Sequence, residues 1–180
     1  MSDNVVQARR LRIWQTETEL PPEVFEAWHK PDGAISPVAI VATVDPDGMP
    51  RTAPFGSLRA MTPRLLRLFS WREHDTYANL CRDPRISVAL VSPDVAVSVT
   101  GRARVVRERA HHDEQFAILD IDVEQVKNDM AYRIVVESGI GIVPKERHKP
   151  WYDAVMTELG DMGYGAARPR EKWNAPRCHL

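Results

Sequence analysis

The residues best suited to binding chemistry fall in two short segments of the chain. Residues 51–55 place an arginine and a threonine before small and aromatic side chains. The second segment joins polar and aromatic side chains between a predicted strand end and a predicted helix start: Ser70, Trp71, Arg72, His74, Thr76 and Asn79. A guanidinium offers a planar set of charged donors, and a threonine hydroxyl adds another. These residue types predict a site for an anionic ligand such as a phosphate.

Arginines are concentrated around those two segments. From Arg51 to Arg109 the sequence has eleven arginines, no lysines and five acids, whereas residues 110–130 have six acids and one lysine. The alternative to an anion site is a solvated strand face. The whole chain has 24 basic and 25 acidic residues and a net charge of -1, so its overall charge does not favour nucleic acid as a partner.

Metal and hydrolytic chemistry have less support. His111 and His112 are followed by two acids, but adjacent side chains on a helix point about 100° apart and converge poorly on one metal ion. No Ser/His/Asp or Cys/His set stands out as a nucleophile with its base, and no Gly-rich phosphate loop is present. The sequence therefore predicts no metal site, and it assigns no catalytic residue.

The elements that would position these residues are mainly strands. A turn at residues 45–48 joins the first two strands, because Gly48 can supply a positive φ. The predicted strands cover residues 38–44, 52–58, 65–71, 85–91, 94–106 and 131–143. The predicted helices cover residues 22–28, 75–81, 110–130 and 151–159. We expect the 75–81 helix to begin near His74 or Asp75, and the 94–106 strand to bend at Gly101.

Six mostly antiparallel strands with a few helices predict a mainly β domain with helices (α+β), closed into a small barrel because closure removes exposed edges. The tight first turn argues against parallel α/β layering. At 180 residues the chain suits one domain. We assign the barrel with its N-terminal helix to residues 1–143 and a helical extension and tail of the same domain to residues 144–180.

Composition also bears on the compartment. The longest apolar run, residues 38–44, is too short to span a bilayer, and the first ten residues contain no apolar signal region. Cys81 and Cys178 are too few for a disulfide framework and form no CxxC motif, which favours a reducing compartment. These features predict a soluble, cytoplasmic protein without a membrane partner.

An ordered series of motifs resembles the pyridoxamine 5'-phosphate oxidase-like FMN-binding split-barrel superfamily. The motifs are the Asp-Pro-Asp-Gly turn, the Pro50-Arg51 strand, the Ser70-Trp71 strand end, the Thr76-x-x-Asn79-Leu80 helix, the Asp83-Pro84-Arg85 strand and the Gly101-Arg102-Ala103 strand. The resemblance covers about residues 20–143. Within the superfamily, residues 53–56 and 76–80 are most similar to the small FMN-binding flavoproteins.

This resemblance implies a six-stranded antiparallel split β-barrel of the FMN-binding type, and a homodimer with FMN at the subunit interface. The flavin would carry the redox chemistry, with a small-molecule substrate or a nicotinamide donor. The implied cofactor-binding residues are Arg51, Thr52, Ala53, Pro54, Phe55, Ser70, Trp71, Arg72, His74, Thr76 and Asn79. In such proteins the strand at 51–57 runs beside the isoalloxazine ring, and the helix start at 74–76 receives the phosphate, which suits its unpaired N–H groups.

One departure from the superfamily and several alternatives stay open. Members usually carry Ser-Arg-Lys or a similar basic pair where this chain has His74, Asp75 and Thr76. The positive charge that binds the phosphate could therefore come from Arg51, Arg59 or Arg72 instead. Deazaflavin F420 and haem are alternative cofactors, and a non-catalytic flavin or haem binding or sensing protein is the alternative function.

Individual residues also have second interpretations. Arg51 could bind phosphate or pair with an acid at a strand edge, and Trp71 could stack near the cofactor or fill the barrel end. Asn79 could brace the phosphate loop or bond to the backbone. Trp173 and Arg177 in the tail could cover a partner's cofactor, or the tail could be partly disordered.

Overall fold

The computed structural model describes residues 16–31, 33–130 and 134–161. The strands are β1 (Thr16–Glu17), β2 (Ala39–Val44), β3 (Pro50–Phe55), β4 (Arg59–Thr62), β5 (Leu65–Trp71), β6 (Arg85–Ser92), β7 (Val95–Arg107) and β8 (Phe116–Asn128). The helices are α1 (Pro22–His29), α2 (Asp75–Arg82) and α3 (Lys149–Asp161), with a 3-10 turn at Glu146–His148. The predicted mainly antiparallel β fold with helices is confirmed.

The strands form one antiparallel sheet in the order β3-β2-β6-β7-β8-β5-β4, and β1 pairs with β8. The sheet thus has eight strands rather than the predicted six, and it is not closed, since β3 and β4 occupy its two ends. Ser57, between these two strands, fastens their connection to β5. Its hydroxyl donates to the Phe69 carbonyl (3.0 Å) and accepts from the Phe69 amide (3.1 Å).

The sequence predicts a helix at residues 110–130, and this prediction is wrong. Residues 116–128 form β8, which lies between β7 and β5. The acids of this segment suggest the solvated side of a helix, but they alternate with apolar residues at the period of a strand. Asp122 and Glu124 are exposed, while the apolar residues around them are buried: Ile121, Val123 and Val126.

The closing strand predicted at residues 131–143 is also wrong for its described part. The β pairing of residues 134–143 is limited to one isolated bridge, between Ile140 and Val38. Residues 131–133 lie outside the described residues. The last long strand of the sheet is β8 instead.

Local signals explain the elements that the sequence did predict. Gly48 has φ +84°, and the Asp45 carboxylate accepts hydrogen bonds from the Asp47 and Met49 amides, which fixes the β2–β3 turn. In β7 the register shifts at Gly101, where a Cβ would lie 2.2 Å from the Asp122 carbonyl oxygen. The predicted bend therefore has a steric cause, because no larger residue fits this approach of β7 to β8.

Two apolar clusters hold the elements together. The larger lies between the sheet and helices α1 and α2, and includes Trp28, Leu68 and Tyr77. The smaller joins α3 to β5 and β8 through residues such as Met156 and Ile118. Helix α3 therefore packs directly on the strands.

A buried ion pair accompanies the smaller cluster. Arg67 in β5 and Asp120 in β8 are directly opposite in the ladder, and both side chains are almost completely buried. Arg67 donates to both Asp120 carboxylate oxygens (2.6 and 3.2 Å) and to the Leu159 carbonyl of α3 (3.1 Å). Arg104 of β7 donates to the same carboxylate (3.1 Å). The Asp120 carboxylate thus links β5, β7 and β8, and Arg67 extends this link to α3.

Two further findings concern the predicted compartment and the tail. No helix in the described ranges is long and apolar enough to cross a membrane. Cys81 in α2 is not a free thiol. Trp173 and Arg177 lie outside the described residues.

The buried pair gives a stability prediction. We expect Asp120→Ala to lower the free energy of unfolding by about 3–5 kcal/mol, because it leaves the Arg67 charge buried without its carboxylate. Asp122→Ala is the matched control on the same strand. Its side chain is 60 % exposed and its ion pair with Arg104 is longer, at 3.5 Å, so its expected effect is below about 1 kcal/mol. Urea unfolding measures both, and equal losses would contradict the assigned role.

Candidate cofactor site

Strand β3 presents an open edge. It pairs with β2 from Ala39↔Phe55 to Val44↔Pro50 and ends the strand order, so its other edge has no strand partner in the described part of the chain. Thr52 and Pro54 are exposed, and Ala53 is half-buried. Small side chains and unpaired main-chain groups along this edge leave room for a planar ligand that hydrogen-bonds to the backbone.

Arg51 pairs with an acid of the β2–β3 turn. Its Nε donates to Asp45 Oδ2 at 2.9 Å, while its side chain stays 63 % exposed. The Met49 amide, together with the Arg51 guanidinium and the Asp47 amide, lowers the pKa of Asp45 below its usual range. This geometry matches the second interpretation from the sequence, an edge arginine paired with an acid. The exposed guanidinium can still reach an anion beside β3.

Arg59 is not available as the alternative source of charge. It is 2 % exposed, and its guanidinium donates to the carbonyls of Met156 and Ala34 at 3.5 and 3.3 Å. Its role is to hold α3 against the sheet. Of the three arginines that could supply charge to the phosphate, Arg51 and Arg72 remain candidates.

The end of β3 meets the start of α2. Phe55 is buried, and its ring makes an edge contact with the His74 ring at a centroid distance of 5.9 Å. His74 is the N-cap of α2, as expected from the sequence, and its Nδ1 accepts a hydrogen bond from the Thr76 amide at 3.1 Å. Asp75 is exposed in the first turn, and Thr76 is buried. The two predicted segments are therefore brought together.

Asn79 points away from that junction. It is 3 % exposed, and its Nδ2 donates to the Thr43 hydroxyl of β2 at 3.1 Å. Arg82 Nη1 lies 3.4 Å from its Oδ1. Both ends of the amide are thus engaged within the chain, so Asn79 contacts the sheet and not the helix start.

The loop between β5 and α2 borders a cleft. Ser70 is buried and donates to the Trp71 carbonyl (3.3 Å), whereas Trp71 is 42 % exposed. Arg72 Nη2 lies 3.4 Å from Glu108 Oε1. The cleft has a volume of about 250 Å³ and is lined by Trp71, Arg72, Glu73, Arg109, Glu114 and Gln115. It carries charges of both signs and an exposed aromatic ring.

Two buried polar atoms beside this loop lack a hydrogen-bond partner among the described residues. They are the Tyr77 hydroxyl and Arg72 Nε. Burial raises the pKa of Tyr77, against the opposing effect of Arg72, so the hydroxyl stays protonated and can donate. Because the Arg72 side chain acts on the pKa of this hydroxyl, the two groups lie close to one another.

Sequence reasoning missed Thr43 and Tyr77. Thr43 lies in the apolar run of β2, where it resembles one more β-branched strand residue. Tyr77 faces inward from α2 and is 1 % exposed. No sequence signal reveals that their hydroxyls face Asn79 and the neighbourhood of Arg72, because both contacts depend on tertiary packing.

His111 and His112 help to anchor α3 through their backbone amides. The backbone amides of His111 and His112 donate to the Glu158 carboxylate at 2.8 and 2.9 Å, and Arg107 donates to it at 2.6 Å. These contacts fasten α3 to the β7–β8 connection. Within residues 16–31, 33–130 and 134–161, no group of three or more His, Cys, Asp or Glu residues could hold a metal ion.

The chain thus combines an open antiparallel sheet with a capped helix that meets its end strand. The family model described as pyridoxamine 5'-phosphate oxidase matches residues 32–137, more than half of the chain. The chain therefore belongs to the pyridoxamine 5'-phosphate oxidase family, which confirms the superfamily expected from the sequence motifs. No curated protein matches the sequence.

Solved structures with a similar fold have low sequence identity. A candidate pyridoxamine 5'-phosphate oxidase from Lactobacillus delbrueckii is 22% identical, with a TM-score of 0.49, and the match covers 61% of this chain and 94% of that one. An FMN-binding protein from Syntrophomonas wolfei is 12% identical, with a TM-score of 0.48 and coverages of 61% and 88%. An F420 reductase is 16% identical, with a TM-score of 0.47 and coverages of 58% and 95%. The family assignment rests on the family model and not on these similarities.

Lys30 supports the turn that follows β3. It is 6 % exposed, its Nζ donates to the Gly56 carbonyl at 3.0 Å, and it lies 5.0 Å from the centre of the Trp28 ring. Burial and repulsion from Arg59 lower its pKa from 10.5 to about 7. The turn that follows Phe55 is therefore held by an amine that titrates near neutral pH.

This amine gives a pH prediction. Below pH 7 Lys30 is charged in both the folded and the unfolded chain, and the folded state bears the full cost of the buried charge. Between pH 7 and pH 10.5 the unfolded chain retains a proton that the folded chain has lost, so this contribution to the free energy of unfolding rises with pH. We expect Lys30→Met to flatten that rise in urea unfolding, and Lys145→Met, at an exposed lysine, to preserve it. An unchanged slope in Lys30→Met would refute the assignment.

Proposed function

We propose that this protein binds FMN between two copies of the chain and acts as a flavin-dependent oxidoreductase. The observation that carries the proposal is the meeting of the open β3 edge with the capped start of α2, the two segments expected to hold the ring and the phosphate. A bound flavin would accept two electrons from a donor, such as a reduced nicotinamide, and pass them to a small-molecule acceptor.

The residues of β3 fit a flavin ring. Exposed Thr52 and Pro54 keep bulky groups away from the edge. The unpaired main-chain donors and acceptors of the strand can hydrogen-bond to the polar edge of the ring. The buried Phe55 ring, braced against His74, gives the ring site a fixed end. A deazaflavin ring has a similar outline, so F420 is the alternative cofactor.

The phosphate would lie near the first turn of α2. The helix dipole favours an anion there, and Arg51 and Arg72 add charge from neighbouring segments. Asp75, also in this first turn, opposes the phosphate, and exposure to solvent weakens its effect. We therefore propose a phosphate site of moderate strength, formed by His74, Thr76 and the two arginines.

A second copy of the chain is part of this proposal. The apolar segment of residues 134–143 is exposed, with Ile134 at 59 %, Val135 at 68 % and Val143 at 90 %. Its backbone is fastened beside β2 by Ser36, whose hydroxyl accepts from the Ile142 amide and donates to its carbonyl, both at 2.9 Å. Exposed apolar side chains concentrated in one segment favour burial against a partner.

The second candidate function is a flavin or haem carrier without turnover. It is favoured by the internal pairing of the polar side chains around the junction, such as His74 with Thr76 and Arg51 with Asp45. A site of this kind offers no obvious acid or base beyond the cofactor. Reduction by NADH or NADPH separates the two functions, because a bound flavin that neither donor reduces favours the carrier.

The cofactor prediction is tested by spectroscopy. We expect the purified protein either to show flavin absorption bands or to bind added FMN in a non-denaturing titration. Thr52→Trp, which places a bulky ring on the exposed β3 edge, should weaken FMN binding about tenfold or more through steric overlap. Thr100→Trp, on an exposed position of β7, is the matched control. A Soret band would redirect the proposal to haem, and the absence of any flavin binding would refute it.

The dimer is tested separately. We expect Val135→Glu combined with Val143→Glu to convert a dimer to a monomer in sedimentation, because two charges would be buried at the contact. Met49→Glu is the control, since Met49 is equally apolar and 59 % exposed but lies in the β2–β3 turn. A wild-type monomer, or a dimer that survives the double substitution, would contradict this interface.

A further inference from the structure

We propose that Asn79 is a positioning residue that fixes the spacing between the two halves of the cofactor site. The inference rests on the proposed flavin function and deepens it, because it names what sets the selectivity for a phosphorylated flavin. Asn79 and Thr43 are each 3 % exposed, and the 3.1 Å hydrogen bond between them crosses from α2 to β2. With its amide engaged on the sheet, Asn79 acts on the cofactor only through the placement of α2.

The Asn79–Thr43 hydrogen bond connects the two segments of the proposed cofactor site, strand β3 and the start of α2. Thr43 is directly opposite Arg51 in the β2–β3 ladder, so its position is tied to the strand beside the flavin ring. Asn79 follows Thr76 by three residues and so lies on the same face of α2. A shift of Asn79 relative to Thr43 therefore moves the first turn of α2 relative to the β3 edge.

Arg82 provides a second link between the same two elements. Its guanidinium donates to the Val44 carbonyl at the end of β2 and also approaches the Asn79 side chain. The residue itself is exposed. Both links join α2 to the same end of β2, so α2 can tilt away from the hairpin when they are lost, although its apolar side stays packed on the core.

The expected consequence is specific to the phosphate. The ring of a flavin would lie along β3, which its ladder with β2 holds in place and which meets α2 at its Phe55 end, through the contact with His74. The phosphate would lie at the start of α2, and the favourable interaction there falls off within about one helical turn. Loss of the Asn79–Thr43 bond should therefore weaken binding of FMN more than binding of riboflavin, which has the same ring and no phosphate.

The test compares FMN and riboflavin affinities by fluorescence titration of the full chain. Thr43→Val keeps the side-chain shape and removes the hydroxyl. We expect it to lower the ratio of FMN affinity to riboflavin affinity by about threefold to tenfold. Thr43→Ser keeps the hydroxyl and should restore the wild-type ratio. Thr100→Val makes the same change on the exposed side of β7 and should leave the ratio unchanged.

A second variant covers the case in which Thr43→Val fails to fold. Arg82→Ala removes an exposed side chain and should lower the ratio in the same direction by a smaller factor. A wild-type protein that binds neither flavin refutes the proposed function itself. A wild-type protein that binds both flavins equally, or variants that weaken both ligands by the same factor, would overturn the positioning role and leave flavin binding intact.

Discussion

The rest of the structure depends on the buried Arg67–Asp120 pair. Two charges in an apolar interior are stable only with close geometry and further hydrogen bonds, and here those come from Arg104 on β7 and from the last turn of α3. The pair therefore fixes β5, β7, β8 and α3 relative to one another. Strand β5, which carries Arg67, ends at Trp71, and the loop into α2 begins there. The second half of the candidate site thus starts from a strand that this ion pair holds in place.

Much of the fold can be predicted from local sequence signals. Residues 65–71 form the expected strand, and the Gly48 turn and the His74 cap follow from the needs of a positive φ and of a helix start. The prediction missed strand β8 because its acids resemble those of a solvated helix surface, although their alternation with apolar residues has the period of a strand. Asp120 is buried opposite Arg67, and the sequence does not reveal that pairing.

The candidate site was predictable at the level of segments and not of contacts. The sequence indicates residues 51–55 and the start of α2, and the structure brings them together at Phe55 and His74. It does not identify Asp45 as the acid that pairs with Arg51, or Thr43 as the partner of Asn79. Such pairings are decided by which side chains tertiary packing places opposite one another. The proposed flavin site therefore combines a backbone edge fixed by local pattern with side chains fixed by packing.

The open edge of β3 has a further consequence for solubility. An unpaired strand can act as a template on which another chain adds a strand, which leads to aggregation. Pro50 and Pro54 lie in β3, and proline has no N–H to donate to an added strand. The charged Arg51 side chain also discourages such pairing. The edge can thus remain accessible to a small ligand while resisting the addition of a polypeptide.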